Sequence, residues 1–386
     1  MQKLGFISCL WILCLSAVWQ ARAQAIYYNT SSTIQSENTL AAVSTNGGSP
    51  TTLLTAAGSL SRCTALAVDG VNGKLFLLDG PDGSLWSANL DGSGLALVEG
   101  GLTNFPTDLA LDVQSQQIYF TTSSTIQDNN TVQRVDYSGN NNTTVFIATG
   151  SPPDDEVSRC TAIAVDLLNS KIFIADDGAG KIWSMNLTGG GLATVAQANN
   201  AVPTGLALDT ANQQVYFTLG SPVQSSNSIQ RVDYSGSGLI NLFTASGGVQ
   251  RCTALDLDLA QDNIYLSDAG ANTLWSIPIA GGSATPILSG LPATAKKVRW
   301  FGGISSLPKP GILNLSLSGA NAIFSGTNGV AGGTYYILTS TNVALPLNQW
   351  ALISTNVIVS GGPFTITATN GLIHGAPHQF YILRVQ

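Results

Sequence analysis

The sequence predicts an all-β chain: a six-bladed β-propeller closed by a blade that both chain ends share, followed by a small C-terminal β-sandwich. Three observations carry this. First, the segment Arg62-Cys63-Thr64-Ala65-Leu66-Ala67-Val68-Asp69 returns with small changes at 159–166 and again at 251–258. Second, two related units stand between the copies, Thr107-Asp108-Leu109-Ala110-Leu111-Asp112 and Thr204-Gly205-Leu206-Ala207-Leu208-Asp209. Their closing aspartates fall at 69, 112, 166, 209 and 258, a spacing of 43–54 residues that suits one four-stranded blade. Third, the repeat region begins in mid-unit, at Ile26-Tyr27-Tyr28-Asn29-Thr30, which matches the second strand of a blade at 118–122.

Within each unit the first strand alternates small and large side chains, Ala65 and Ala67 against Leu66 and Val68, as a strand does when its two faces pack on different neighbours. The second is aromatic and β-branched, as in Leu75-Phe76-Leu77, Ile118-Tyr119-Phe120, Ile172-Phe173-Ile174, Val215-Tyr216-Phe217 and Ile264-Tyr265-Leu266. The third carries Trp86, Trp183 and Trp275 in alternate units and ends in turns such as Asp91-Gly92, Ser138-Gly139, Gly189-Gly190, Ser235-Gly236 and Gly281-Gly282. A fourth strand, such as 95–98 or 143–147, completes the unit. The missing first strand of the opening blade is expected from 294–300, where Lys296, Lys297 and Arg299 replace the usual small and apolar residues. Pairing both ends in one sheet removes exposed edges without a disulfide.

Residues 1–23 read as a secretory signal: Lys3 at the start, an apolar run over 4–19, and Ala21-Arg22-Ala23 before a cut at Gln24. The expected domains are therefore 24–304 for the propeller, 305–310 for a stiff proline-containing linker and 311–386 for the sandwich. Sandwich strands are expected at 312–317, 334–341, 350–358, 364–369 and 379–385, with turns at Asn328-Gly329 and Gly361-Gly362. A net charge of -7, with only 10% charged residues, argues against a partner of nucleic acid, which demands a concentrated basic face. Beyond the leader no stretch reaches spanning length, so no membrane span is expected, and the chain reads as exported, extracellular or periplasmic. Only Cys63, Cys160 and Cys252 follow the leader, an odd number that makes no disulfide framework.

These units resemble the YWTD repeats of the LDL-receptor class B family, in which a strand like Leu66-Ala67-Val68-Asp69 precedes one like Ile264-Tyr265-Leu266-Ser267-Asp268 or Ile172-Phe173-Ile174-Ala175-Asp176. Ile163 to Asp176 is nearly as similar to NHL-type propellers. Either resemblance implies binding to proteins or other macromolecules on a propeller face and passes on no catalytic set. The C-terminal part, through Tyr335-Tyr336 and 340–347, resembles sandwich modules of secreted bacterial proteins.

Both histidines, His374 and His378, lie outside the repeats, so a Ser-His-Asp site cannot be built in the propeller. The strand-ending aspartates read as acceptors of backbone donors in the following turn. Asp79 with Asp82 and Asp176 with Asp177 supply too few oxygens for calcium, and no metal or other cofactor is expected. Three buried small residues are the reading for the cysteines, since strands across a channel cannot bring three sulfurs to one metal.

The candidate rim is threefold. Arg62 to Trp86, Arg159 to Trp183 and Arg251 to Trp275 are each 24 residues apart, in blades about 120° from one another. Two readings stand side by side: Trp and Arg together bind a sugar or an anion, or Arg pairs with a loop Asp while Trp wedges between blades. Long polar joins at 29–39, 121–131 and 219–228 offer a partner-contacting surface. The expected function is a secreted, non-enzymatic scaffold binding a protein or surface polymer. A carbohydrate-binding lectin and a metal-dependent, lactonase-like hydrolase are the alternatives.

Overall fold

The computed structural model describes residues 24–58, 60–124, 129–148, 157–198, 201–301, 311–329, 334–345, 349–357, 362–373, 376 and 378–385. The expected leader at 1–23, the expected linker at 305–310 and His374 lie outside them. Two compact units separate within the chain, one spanning 23–303 and the other containing 304–386.

The first unit holds six four-stranded antiparallel sheets. Blade 1 contains β1 (Ala25–Ser31), β2 (Thr39–Ser44) and β3 (Thr51–Thr55), and blade 2 contains β4 (Cys63–Asp69), β5 (Lys74–Asp79), β6 (Ser84–Asn89) and β7 (Ala96–Glu99). Blade 3 is β8 (Phe105–Asp112), β9 (Gln117–Ser123), β10 (Thr131–Asp136) and β11 (Thr143–Ile147). Blade 4 is β12 (Cys160–Asp166), β13 (Lys171–Asp176), β14 (Lys181–Asn186) and β15 (Ala193–Gln197). Blade 5 runs through β16 (Val202–Asp209), β17 (Gln214–Gly220), β18 (Ser228–Asp233) and β19 (Ile240–Thr244). Blade 6 has β20 (Cys252–Asp258), β21 (Asn263–Asp268), β22 (Thr273–Pro278) and β23 (Thr285–Leu288). The next strand, β24 (Thr294–Phe301), pairs antiparallel with β1 from Ala25↔Phe301 to Ser31↔Thr294, and so supplies the innermost strand that blade 1 lacks.

Strand alternation sends each blade's two faces into two different cores. Leu66 of β4 packs with Tyr27 and Leu40 of blade 1, whereas Ala65 and Ala67 pack with Leu109, Ile118 and Phe120 of blade 3. The same division recurs around the circle until Ala254, Tyr265 and Leu274 of blade 6 meet Ile26, Tyr28 and Val298 of blade 1. Innermost strands touch in the cyclic order β4, β8, β12, β16, β20, β24 and back to β4.

The outer wall is sealed in the same order by one glycine per blade. In the turn after the third strand, Gly92, Gly139, Gly189, Gly236, Gly281 and Gly47 all have φ between +79° and +90°. A Cβ there would stand 1.9–3.0 Å from a carbonyl oxygen on the preceding blade's outermost strand: Leu53, Val98, Val145, Val195, Leu242 and Ile287 respectively. Only glycine meets both demands, positive φ and close approach.

The second unit contains two three-stranded antiparallel sheets: β25 (Gly311–Ser318), β26 (Asn321–Gly329) and β29 (Gly362–Ala368), and β28 (Ala351–Val357), β27 (Thr334–Ser340) and β30 (Phe380–Val385). Phe324, Phe364 and Ile366 of the first share one apolar cluster with Tyr335 and Ile337 of the second. The sequence reading missed β26 and put a turn at Asn328-Gly329, which are its last residues. The strand's buried set is Ala322, Phe324 and Gly326, too small and glycine-rich to show as a hydrophobic alternation.

Candidate functional site

The innermost strands begin on one face of the ring, and the residues at or just before their starts form the mouth of the axis. The opening positions are Arg62, Phe105, Arg159, Val202, Arg251 and Thr294; two residues on come Thr64, Thr107, Thr161, Thr204, Thr253 and Lys296. Each of the five threonines sets its hydroxyl between an own-blade partner and a carbonyl on the next blade, the latter within hydrogen-bond reach: Thr64 to Pro106 at 3.3 Å, Thr107 to Cys160 at 3.0 Å, Thr161 to Pro203 at 3.1 Å, and Thr204 to Cys252 and Thr253 to Ala295 at 3.2 Å each. Blade 1 has Lys296 where the hydroxyl belongs, and Asn29 on the adjoining strand completes the belt by donating Nδ2 to the Cys63 carbonyl at 2.7 Å. The cysteines thus serve through their backbone. Their thiols are buried and free, and burial, reinforced by the nearby strand-end aspartates, pushes those of Cys63 and Cys252 up to about 12. Such thiols stay neutral.

A cavity of about 580 Å³ opens at this mouth, lined by residues from all six blades. Arg62, Arg251, Lys296 and Lys297 are in its wall, no Asp or Glu lines it, and Ser31, Ser32 and Thr33 of the first long join border it. Just below, Lys297 and Arg299 of β24 reach Asp108 of blade 3, Nζ to Oδ2 at 3.0 Å and an Arg299 η-nitrogen to Oδ1 at 3.4 Å. Burial pulls the Lys297 ammonium down, against the opposing pull of Asp108. Asp256 of blade 6, raised by burial despite Arg299 nearby, accepts the Trp300 amide at 2.7 Å. Lys296 has no such acid: burial lowers it first, then Arg251 and Arg62 lower it further.

Of the six residues singled out by the 24-residue spacing, the cavity wall includes Arg62 and Arg251. Arg159, at the equivalent place, is turned onto Asp177 through Nε and an η-nitrogen. Gly80 and Ala269 occupy the matching positions in blades 2 and 6, so their arginines have no carboxylate to take. The tryptophans are not in the wall. Trp86, Trp183 and Trp275 each wedge between their own blade and the preceding one, Trp183 being 1% exposed and overlain by the Lys181 ammonium at 4.7 Å. Sugar stacking needs an open aromatic face, and the indoles do not supply one here.

The spacing nevertheless has a structural meaning. In blade 4 the Arg159 amide and the Trp183 indole donate to the same carboxylate, Asp176, which also accepts the Ser158, Gly178 and Ala179 amides. Asp268 does the same in blade 6 for Gln250, Arg251, Gly270, Ala271 and the Trp275 indole. In blade 2, Asp79 accepts the Ser61, Arg62 and Asp82 amides, while the Trp86 indole turns to Ser84 at 2.8 Å. Their oxygens are consumed by N–H donors. Among the described residues no group of His, Cys, Asp and Glu is arranged to hold a metal ion.

The aspartates ending the first strands accept turn amides: Asn72 on Asp69, Ser115 on Asp112, Asn169 on Asp166, Asn212 on Asp209 and Gln261 on Asp258. The long joins are built, not loose. Buried Asn38 and Asn227 each accept one loop amide and donate to three loop carbonyls, and Asn130 bridges Ser124 in the same way.

Neither a family model nor a curated protein matches this sequence. Solved structures do match. One is a nidogen/laminin complex, at 16% identity and TM-score 0.56, over 72% of this chain and 97% of that one. Another is TolB from Acinetobacter baumannii, at 12% identity and TM-score 0.55, over 72% of this chain and 66% of that one. The fold is that of the β-propellers. At such identities the likeness extends to the fold alone, and the mouth must be read from its own residues. No helix among the described residues is long and apolar enough to cross a membrane.

Proposed function

We propose that this chain is an exported, non-enzymatic binding propeller that recognises a protein or a surface polymer on the face carrying the axial mouth, with residues 1–23 as the cleaved leader. One observation carries the reading: in an acidic chain, the only cavity spanning all six blades among the described residues has Arg62, Arg251, Lys296 and Lys297 in its wall and no Asp or Glu, and of the four only Lys297 is paired with an acid. A rigid ring presenting one charged depression is suited to steering and seating a partner of opposite sign. The nidogen/laminin structure, a propeller seen with a protein partner, supports the scaffold part of this reading.

The test is surface plasmon resonance of the full chain against purified envelope proteins and surface polymers of the producing cell, with the Arg251→Glu, Lys296→Glu double variant alongside. A partner held by the native chain and weakened at least tenfold in the variant is expected. A partner held equally by both overturns the assignment of this face, and retention of no envelope component at all overturns the scaffold.

A further inference from the structure

We propose that the group seated in the axial mouth is an acidic sugar residue, a hexuronate of a surface polysaccharide. This rests on the reading of the mouth as the binding face and names its ligand class. The charge is the first argument. Three cations on neighbouring blades, Arg251, Lys296 and Arg62, border one cavity, and the fourth, Lys297, is occupied by Asp108. Arg159 shows what the repeat does when no ligand is needed there: it supplies Asp177. Arg62 Nε is buried without any partner, and Lys296 is close enough to both arginines to feel their repulsion. An incoming carboxylate relieves that repulsion and gives the guanidinium its acceptor.

The second argument is the belt of hydroxyls. Thr107, Thr161 and Thr204 each have protein acceptors for their single hydrogen, in their own blade or the next, so toward the cavity they offer an oxygen lone pair rather than a donor. One arc of the mouth therefore supplies charged donors, the other bare acceptors. An inorganic anion answers the first arc alone, and an acidic peptide answers the second only through single backbone N–H groups rather than a row of hydroxyls. A neutral sugar suits the second and brings only uncharged acceptors to the first. A sugar acid presents a carboxylate to Arg251, Lys296 and Arg62 and hydroxyl donors to the threonines, beside Phe105 at the rim, a residue 39% exposed. The volume, about 580 Å³, lies within the range of small-ligand sites.

Isothermal titration of the full chain with trimers of galacturonate and of mannuronate tests this, against their carboxyl-reduced counterparts, inorganic phosphate and a glutamate-rich peptide. One uronide is expected to bind, at least tenfold tighter than its reduced form, with affinity falling as salt rises. Arg251→Ala or Lys296→Ala should weaken it at least tenfold, and Thr161→Val severalfold, while Thr161→Ser retains it and phosphate is indifferent to both threonine changes. Thr204→Val repeats the threonine test if Thr161→Val fails to fold. Phosphate or the peptide binding as tightly as either uronide overturns the proposal, and so does the absence of uronide binding. In that case a partner still lost with the Arg251→Glu, Lys296→Glu variant leaves the binding-face reading intact.

Discussion

The Asp176 carboxylate, 0% exposed, holds four backbone amides and the Trp183 indole, and so fixes the Arg159 backbone at the mouth and the wedge between blades with one group. Hydrogen bonds to a buried charge are worth about 1.5–3 kcal/mol each, and an amide in its place turns one acceptor into a donor facing N–H groups. Asp176→Asn is expected to cost about 3 kcal/mol in urea unfolding and to shift the tryptophan emission; an unchanged midpoint would refute the assignment. The positions of Arg and Trp were legible in the sequence because repetition marks them. Their relationship was not, since a 24-residue spacing says nothing about a third residue on which both converge. Tyr265 shows the same limit. Where blades 3 and 5 send Tyr137 and Tyr234 to Asp69 and Asp166 of the blade before, blade 1 has Thr45, and Tyr265 at the Phe76 and Phe173 position bonds its own Asp258 instead.

At the level of elements, the tight turns were readable, since glycine after Asp, Ser or Gly announces positive φ. What the turn glycines do beyond turning becomes visible only when the next blade is in place. Gly139→Ala would put a methyl 1.9 Å from the Val98 oxygen at φ +82°, whereas Gly58→Ala, at φ +59°, meets nothing within 4 Å. Thermal unfolding should show about 1 kcal/mol lost for Gly58→Ala from backbone strain alone and about 3 kcal/mol for Gly139→Ala; equal losses would refute the sealing role. The polar joins misled in the opposite direction. Their Ser, Asn and Gln content suggests solvated loops, yet Asn38 and Asn227 are buried and serve as internal braces. Polar composition cannot distinguish a side chain that bonds water from one that bonds its own loop.

For the whole molecule, the lysines and arginine of the closing strand looked like a departure from the repeat, and the structure gives them a purpose. Lys297 and Arg299 of blade 1 converge on Asp108 two blades away, so side chains of the strand that completes the sheet also tie blade 1 to blade 3. Removing one partner from a buried ion pair costs about 3–5 kcal/mol because the remaining charge stays desolvated. Asp108→Ala should therefore lower stability by about that amount, and Asp108→Ala with Lys297→Met should recover part of it; a double variant no more stable than the single one would show that the pair is not what matters. The blade number and the shared blade were legible from period and phase. The cavity's charge was not, because it depends on which arginine lacks its Asp, a contrast between Asp177 and the Gly80 and Ala269 positions that only superposed blades bring out.

The order of synthesis gives the shared blade one more consequence. Asn29 emerges early, but the Lys297 amide that donates to it lies 268 residues downstream. Throughout translation the nascent strand Ala25–Ser31 has an unsatisfied side, and blades 2 and 6, which flank the shared blade, must wait for β24 before each has two complete neighbours. Until the tail arrives, that open strand edge is the place where one chain can pair with another instead of with itself.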